Sequence, residues 1–203
     1  MGEDMPHPRP GLCHPAEVQM TTDRLTLRRW DPDDPSDVAA ALDIYRRDEV
    51  ARWLGPEPKP WKSLDYARER LVAWQTFAAE QPGLGLWAIA VDRGDPPVGT
   101  VLLTPLPDGG GEDTDDIEVG WELHPDHWGK GYATEATQRI LDLAWGQDLA
   151  EVNAVALPGN DRSFAVMRRL GFEPKGRTDR WYGTTLEWWL MASPQPHQAA
   201  SGP

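Results

Sequence analysis

Between Ile117 and Ala136 the sequence changes its hydrophobic period, and no other stretch restricts the fold as much. Ile117, Val119, Trp121 and Leu123 alternate with Glu118, Gly120 and Glu122, the period of a strand with one apolar face. A short loop containing Gly129 and Gly131 follows. Ala133, Ala136, Thr137, Ile140 and Ala144 then recur at helical spacing. A strand therefore runs through a glycine loop straight into an amphipathic helix. Glycine lets the backbone turn tightly and approach a ligand closely. The first N–H groups of the helix lack partners within it and point into the loop, where the helix dipole reinforces them. That is an anion site suited to a diphosphate, and Lys130 adds a positive charge.

Other phosphate loops fit this segment less well. A Walker A loop requires glycine where His124 stands and Ser or Thr where Gly131 stands; a dinucleotide fingerprint requires a third glycine where Thr134 stands. A glycine pair before a helix is also compatible with a plain strand-to-helix turn, so the rest of the chain has to decide.

Along the chain, strand and helix signals alternate. Leu25 to Arg29 reads as a strand, and Asp31 to Asp37 as a turn-rich stretch. Val38 to Trp53 reads as a helix, with Val38, Ala41, Leu42 and Tyr45 at helical spacing. Pro56, Pro58 and Pro60 break the chain. Ser63 then caps a second helix with Leu64, Ala67, Leu71 and Trp74 on one stripe. Strands are expected at 87–91, 98–104, 117–123 and 152–157, with an acidic, glycine-rich hairpin loop at 108–115. A helix from Ser163 to Leu170 stops at Gly171. A closing hairpin is formed by 173–180 and 184–191. The order is that of a mixed α+β sheet, with no internal repeat.

Residues 1–20 carry Pro6, Pro8, Pro10 and Pro15 without periodicity and read as a disordered arm. Met20 to Asp23 reads as a domain start, with Met20 as a candidate translation start. The domain is expected over 21–192 and a disordered tail over 193–203.

Trp128-Gly-Lys-Gly-Tyr-Ala133 resembles the pyrophosphate loop of the Gcn5-related N-acetyltransferases, the GNAT superfamily, whose pattern is Gln/Arg-x-x-Gly-x-Gly/Ala. Trp128 departs from the first position, a departure common in the RimJ/RimL-type branch. The wording from Trp128 to Ala136 is similar to that branch. Asn160 to Phe172 resembles the superfamily's Asn-x-x-Ser-x-x-x-x-x-x-Leu-Gly-Phe segment at the spacing the family requires. Thr22 to Arg28 resembles the branch's first strand. The resemblance covers roughly residues 21–192 and implies a mainly antiparallel central sheet, splayed between its fourth and fifth strands and flanked by about four helices. It implies acetyl-coenzyme A as donor, with its pantothenate arm in the gap and its amides on the backbone of Trp121, Glu122 and Leu123. Gly129, Lys130, Gly131, Tyr132, Ala133 and Thr134, with Trp128 before them, would hold the diphosphate. Asn160 and Ser163 would line the cofactor arm; Asn160 is equally well suited to capping a helix.

The implied reaction is acetyl transfer to a primary amine, which must lose a proton. A lysine-like amine with a pKa of about 10.4 costs roughly 4.6 kcal/mol to deprotonate at pH 7, and an α-amine near 7.8 only about 1. Glu118 is the candidate base, directly or through a water; the alternative is a surface carboxylate in an acidic stretch with Asp113, Asp115 and Asp116. The tyrosine that many family members carry in the second motif is replaced by Met167. Ser163 and Tyr182 are the remaining candidates to protonate the leaving thiolate; their alternatives are first-turn capping and packing in the closing hairpin. A thiol is already a fair leaving group, so no dedicated acid is required. Cys13 beside His14 lies in the arm with no orienting group, so direct transfer in a ternary complex is expected. His124, Asp126 and His127 lack a third ligand set, and no metal is expected.

Composition bears on partners. The net charge of −13 argues against a nucleic-acid partner and is compatible with a cationic acceptor, such as a small amine or a protein N-terminus, or with solubility alone. Eleven Trp against three Phe place indoles in the core. Trp53, Trp61, Trp74 and Trp181, with Tyr182, are also candidates for an aromatic wall around a cation. One cysteine, no apolar run long enough to span a bilayer and no secretory h-region fit a cytoplasmic monomer or homodimer. Two rivals remain: an acyl-coenzyme A sensor with little turnover, motivated by Met167, and a nucleotide-binding module using the same loop.

Overall fold

A computed structural model describes residues 19–55, 59–92 and 94–194. Its elements run β1 (Met20–Thr21), β2 (Thr26–Arg29), α1 (Pro35–Tyr45), α2 (Asp48–Ala51), α3 (Leu64–Glu80), β3 (Gly85–Ala90), β4 (Gly99–Pro107) and β5 (Asp113–Leu123). A single 3-10 turn (Pro125–His127) leads to α4 (Tyr132–Trp145), β6 (Glu151–Ala156), α5 (Asp161–Leu170), β7 (Glu173–Thr178) and β8 (Leu186–Ala192). The strands form one sheet in the order β1-β2-β3-β4-β5-β6-β8-β7.

All neighbouring pairs are antiparallel except β5 and β6. These two meet at a single position, Glu118 opposite Asn153, while β5 stays paired with β4 through Leu123. Beyond Glu118 the strands part, which is the splay expected between the fourth and fifth strands as counted from sequence. Asn153, 2% exposed, closes the fork. Its amide donates to the Ile117 carbonyl at 3.1 Å and accepts from the Trp188 indole at 2.8 Å.

Strand alternation sends the two faces of the sheet to different partners. Trp87, Ile89, Val101, Leu103, Val119 and Leu123 pack with the apolar faces of α4 and α5. On the other face Ala88 joins Trp30, Val38, Ala41, Ile44 and Tyr45 with Ala67 and Leu71 of α3. Ser63 caps α3 as expected, accepting from the Tyr66 amide at 3.2 Å. Leu64 does not join the stripe; it is 53% exposed, and the packed face begins at Ala67.

Three sequence expectations need correction. The helix expected over 38–53 is two helices: Asp34 caps α1 through the Ser36 amide, and Arg47, in extended conformation, separates it from α2. A continuous helix would carry Val50 roughly 140° around from Tyr45, yet both are buried; the break re-phases the chain and raises the helix count to five. The acidic hairpin loop is shorter than expected. The Asp108 carboxylate accepts from the Gly110 and Glu112 amides at 2.7 and 3.0 Å, which tightens the turn and lets β4 and β5 extend. Met20, assigned to the arm, is buried and pairs with Leu27. Residues 1–18, with Cys13 and His14, and residues 195–203 of the expected tail lie outside the described residues.

Candidate active site

The glycine loop takes the form its sequence requires. Gly129 and Gly131 have φ of +74° and +85°, a region costly for residues with a Cβ. Gly131 caps α4, whose first intrahelical bond runs from the Glu135 amide to the Gly131 carbonyl. The amides of Tyr132, Ala133 and Thr134 are thus free of intrahelical partners.

Two arginines and an acid brace the loop from outside. Arg24 donates to the Lys130 carbonyl at 2.9 Å and pairs with Glu135 at 2.6 Å, and Thr22 also donates to Glu135. Burial opposes the Glu135 charge, but the bonds from Thr22 and Arg24 outweigh it and hold the carboxyl below its ordinary range. Arg169 donates to Thr134 at 3.3 Å. Trp128 donates its indole N–H to the last carbonyl of β5, Leu123, at 2.8 Å. Arg162 lies over that indole, 4.3 Å from the ring centroid. A guanidinium therefore stands beside the loop even though Trp128 occupies the family's Gln/Arg position.

From the loop a cavity of about 1660 Å³ extends past the unpaired edge of β5 to α2 and the β7–β8 turn. Its lining includes Glu118, Trp121, Glu122, Leu123, the whole 128–134 segment, Asn160, Ser163 and Tyr182. Every residue singled out from the sequence as catalytic or donor-binding thus faces one space. Asn160 also caps α5, accepting from the Ser163 amide at 3.3 Å. This satisfies the capping role and leaves its side-chain N–H donors for the cavity. Ser163 is half-buried at the first turn of α5.

Glu118 is not a surface carboxylate: it is 6% exposed, at the fork, on the face of β5 shared with Gly120 and Glu122. Burial pushes its pKa up to about 7, against a hydrogen bond from the Tyr182 hydroxyl that pulls it down. Tyr182 is held in place by its backbone, donating its amide to the Pro107 carbonyl at 3.0 Å with a left-handed φ of +58°. Burial, then the Glu118 charge, raise the phenol well above its ordinary value. The neighbouring acid Asp116 is engaged elsewhere, accepting from Arg180 and the Trp181 indole.

Glu122 was expected only through its backbone, but its side chain is also in the cavity. Burial and repulsion by Glu118 raise it to about 8, opposed by a hydrogen bond from Tyr45. Of the aromatic wall, Trp53 and Tyr182 line the cavity. Trp61 and Trp74 instead pack with Tyr45 on the α1–α3 face, and Trp181 sits under Leu106 and Leu186. His124 faces Asp43 at 3.2 Å, and no metal-binding cluster occurs among the described residues. The residues that sequence reasoning missed are Arg24, Arg162, Arg169, Tyr45 and Asn153. Arg162 and Arg169 lie inside the second motif, but their direction depends on where α5 docks.

Residues 24–173 match the family described as "Acetyltransferase (GNAT) domain". The uncharacterized N-acetyltransferase YoaA of Bacillus subtilis (strain 168) is 27% identical over 161 residues, covering 77% of this chain and 84% of that protein. Among solved structures, the ribosomal-protein-S5-alanine acetyltransferase from Vibrio fischeri superposes with a TM-score of 0.67 at 18% identity, covering 89% of this chain and 100% of that one. RimL, the ribosomal L7/L12 alpha-N-protein acetyltransferase in complex with coenzyme A, gives 0.69 at 15% identity, covering 87% and 98%. These two share the fold. The family match spans most of the chain and includes both motifs, and the chain belongs to the GNAT acetyltransferases.

Proposed function

We propose that the protein transfers the acetyl group of acetyl-coenzyme A to a primary amine, on a small molecule or a protein N-terminus, by direct attack in a ternary complex. The observation that carries this is the position of Glu118: a buried carboxyl at the fork, facing the gap that the donor's arm would enter. The unpaired edge of β5 over Trp121, Glu122 and Leu123 offers backbone groups to the donor's amides. The free amides at the start of α4, with Lys130 and Arg162 nearby, suit a diphosphate.

In this reading Glu118 takes one proton from the ammonium, directly or through a water, the neutral nitrogen then attacks the thioester carbonyl, and the second proton it sheds on becoming an amide balances the one the thiolate gains. The C–N bond forms, the C–S bond breaks, and coenzyme A leaves as a thiolate. Ser163, on the cavity wall, is the candidate to return a proton, since Tyr182 already donates its hydroxyl proton to Glu118 and burial makes its phenol a weaker acid. A base is most effective with a pKa near the working pH, and burial has brought Glu118 there. The Tyr182 hydrogen bond orients the ionised carboxylate. RimL acts on a ribosomal protein's α-amine, so a protein N-terminus is one acceptor class and a small amine the other. Met167, buried in the α4–α5 core, supplies no acid and is the one feature favouring a sensor with little turnover; a buried carboxyl in the cavity favours turnover.

Initial-rate kinetics with acetyl-coenzyme A and a panel of amines test the proposal. Coenzyme A release dependent on the amine, with intersecting double-reciprocal lines, is expected. Parallel lines, or an acetylated enzyme trapped without acceptor, would refute direct transfer. Donor binding without turnover on any amine or peptide would establish the sensor reading. Cys13→Ala should leave the rate unchanged.

A further inference from the structure

The acetyl-transfer chemistry has no use for a second carboxyl at Glu122, yet the fold directs one into the acceptor end of the cavity. Alternation along β5 puts the side chains of Glu118 and Glu122 on the same face, toward α1, with only Gly120 between them. The Leu102 side chain packs over Gly120, where an added Cβ would meet it at 3.1 Å, so the surface between the two carboxyls is apolar. Glu122 is held in place: its Oε2 accepts from the Tyr45 hydroxyl at 3.3 Å, and the Thr100 hydroxyl lies 2.7 Å from that same oxygen of Tyr45.

Among the described residues no ion pair involves Glu118 or Glu122. Every Lys and Arg lining the cavity comes from the β1–β2 turn, the glycine loop, α4 or α5. The loop end carries cations together with the acids Asp23, Glu135 and Asp142, whereas the end near α1 and α2 presents Glu118, Glu122 and, at the rim, exposed Glu49 with no Lys or Arg among its described lining residues. A buried carboxylate without a counter-charge is unfavourable, and a bound ammonium would relieve it. The same end has an independent feature, an apolar wall of Val50, Trp53, Leu54 and Leu102, which suits a hydrocarbon chain.

We propose that the acceptor is an α,ω-diamine or longer polyamine, with its reacting amine at Glu118, its second ammonium at Glu122 and its methylene chain along the apolar wall. This rests on the acetyl-transfer reading above. The second ammonium keeps its protons throughout; the reacting nitrogen gives one proton to Glu118 before it attacks, and its second offsets the proton taken up by the thiolate as the C–S bond breaks. Glu122 is accordingly a specificity residue, and bond making does not involve its side chain.

The test is kcat/KM of the full chain with acetyl-coenzyme A on a homologous series of straight-chain α,ω-diamines, each matched with the n-alkylamine of the same carbon count. A charge-assisted contact to Glu122 should favour the diamine by about ten- to hundredfold at the best length. Glu122→Gln should collapse the diamine-to-monoamine ratio toward one; the ratio cancels any loss common to both substrates. Glu122→Asp should keep a preference and shift it to a longer diamine, which a merely structural role would not do. Equal kcat/KM for matched pairs in the wild type, a ratio unmoved by Glu122→Gln, or activity confined to peptide N-termini would each overturn this inference while leaving acetyl transfer standing. No turnover on any amine or peptide would instead refute the acetyl-transfer reading.

Discussion

Glu118→Gln keeps the shape of the side chain and removes its basicity. A carboxyl moved from 4.5 to about 7 holds a proton about 3 kcal/mol more tightly than an exposed glutamate, so it is a better base toward an ammonium. General base catalysis is worth roughly 10²–10⁴-fold, against a cost of about 4.6 kcal/mol to deprotonate a lysine-like amine at neutral pH. If Glu118 takes the proton from the bound ammonium, wild-type kcat/KM rises with pH to about 7 and then levels off. The Gln variant depends on amine deprotonated in solution, so its kcat/KM keeps rising toward the amine's own pKa. The deficit should therefore be roughly 10²–10⁴ near pH 7 and shrink about tenfold per pH unit above it. Steady-state assays on the best amine between about pH 6 and 10 measure both curves. A variant with wild-type kcat/KM at pH 6–7 would remove Glu118 from the mechanism. A small deficit at every pH would mean an acceptor that deprotonates unaided, as an α-amine does.

Four further outcomes are expected. Tyr182→Phe removes the hydrogen bond that lowers the Glu118 pKa, so the acidic limb of the kcat/KM profile should move to higher pH; an unmoved limb would mean the contact does not orient the base. Gly131→Val forces a β-branched residue to φ +85° and toward Arg24. It should cost about 1–2 kcal/mol of stability and abolish coenzyme A binding in a chain that still folds; unchanged calorimetric affinity would refute the loop assignment. Asn153→Leu leaves the Ile117 carbonyl and Trp188 indole unpaired and should cost roughly 3 kcal/mol in urea unfolding. Finally, unfolded Glu118 ionises near 4.5 and folded Glu118 near 7, so its ionisation erodes stability as pH rises across that window. Glu118→Gln should then be more stable than wild type near pH 8, by up to about 3 kcal/mol, with the gain gone below about pH 4.5; equal stability at pH 8 would show that the carboxyl is not desolvated.

What could be read from the sequence was local in origin. The strand, glycine loop and helix of 117–136 are set by short-range periodicity and by backbone angles that glycine tolerates. Ser63 and Asn160 were legible as caps because a cap acts within one turn. The break between α1 and α2 was not, because Val50 fits a helical pattern until its packing partner is known. Glu118 sits among aspartates that are solvated or paired, so its burial depends on the fork and on a tyrosine 64 residues away. Glu122 was assigned by its backbone alone; its carboxyl matters only because Tyr45, 77 residues earlier, ends α1 beside it. The position of β8 between β6 and β7 likewise follows from long-range pairing that a hairpin signal does not encode.

The fork at Glu118 and Asn153 also has a mechanical consequence. The hydrogen-bonded ladder of the sheet narrows there to one rung, so cross-strand load between the β1–β5 and β6–β8 halves bypasses the backbone. The apolar layer beneath carries it instead: Val119, Val152 and Ala154 belong to the same packed cluster as the inner faces of α4 and α5. A close-packed layer is nearly incompressible, so the slot above it has a width set by side-chain volume before anything binds. The chain keeps an unzipped seam in the middle of its sheet, and in the proposed binding mode the donor's arm would meet backbone groups already spaced to receive it.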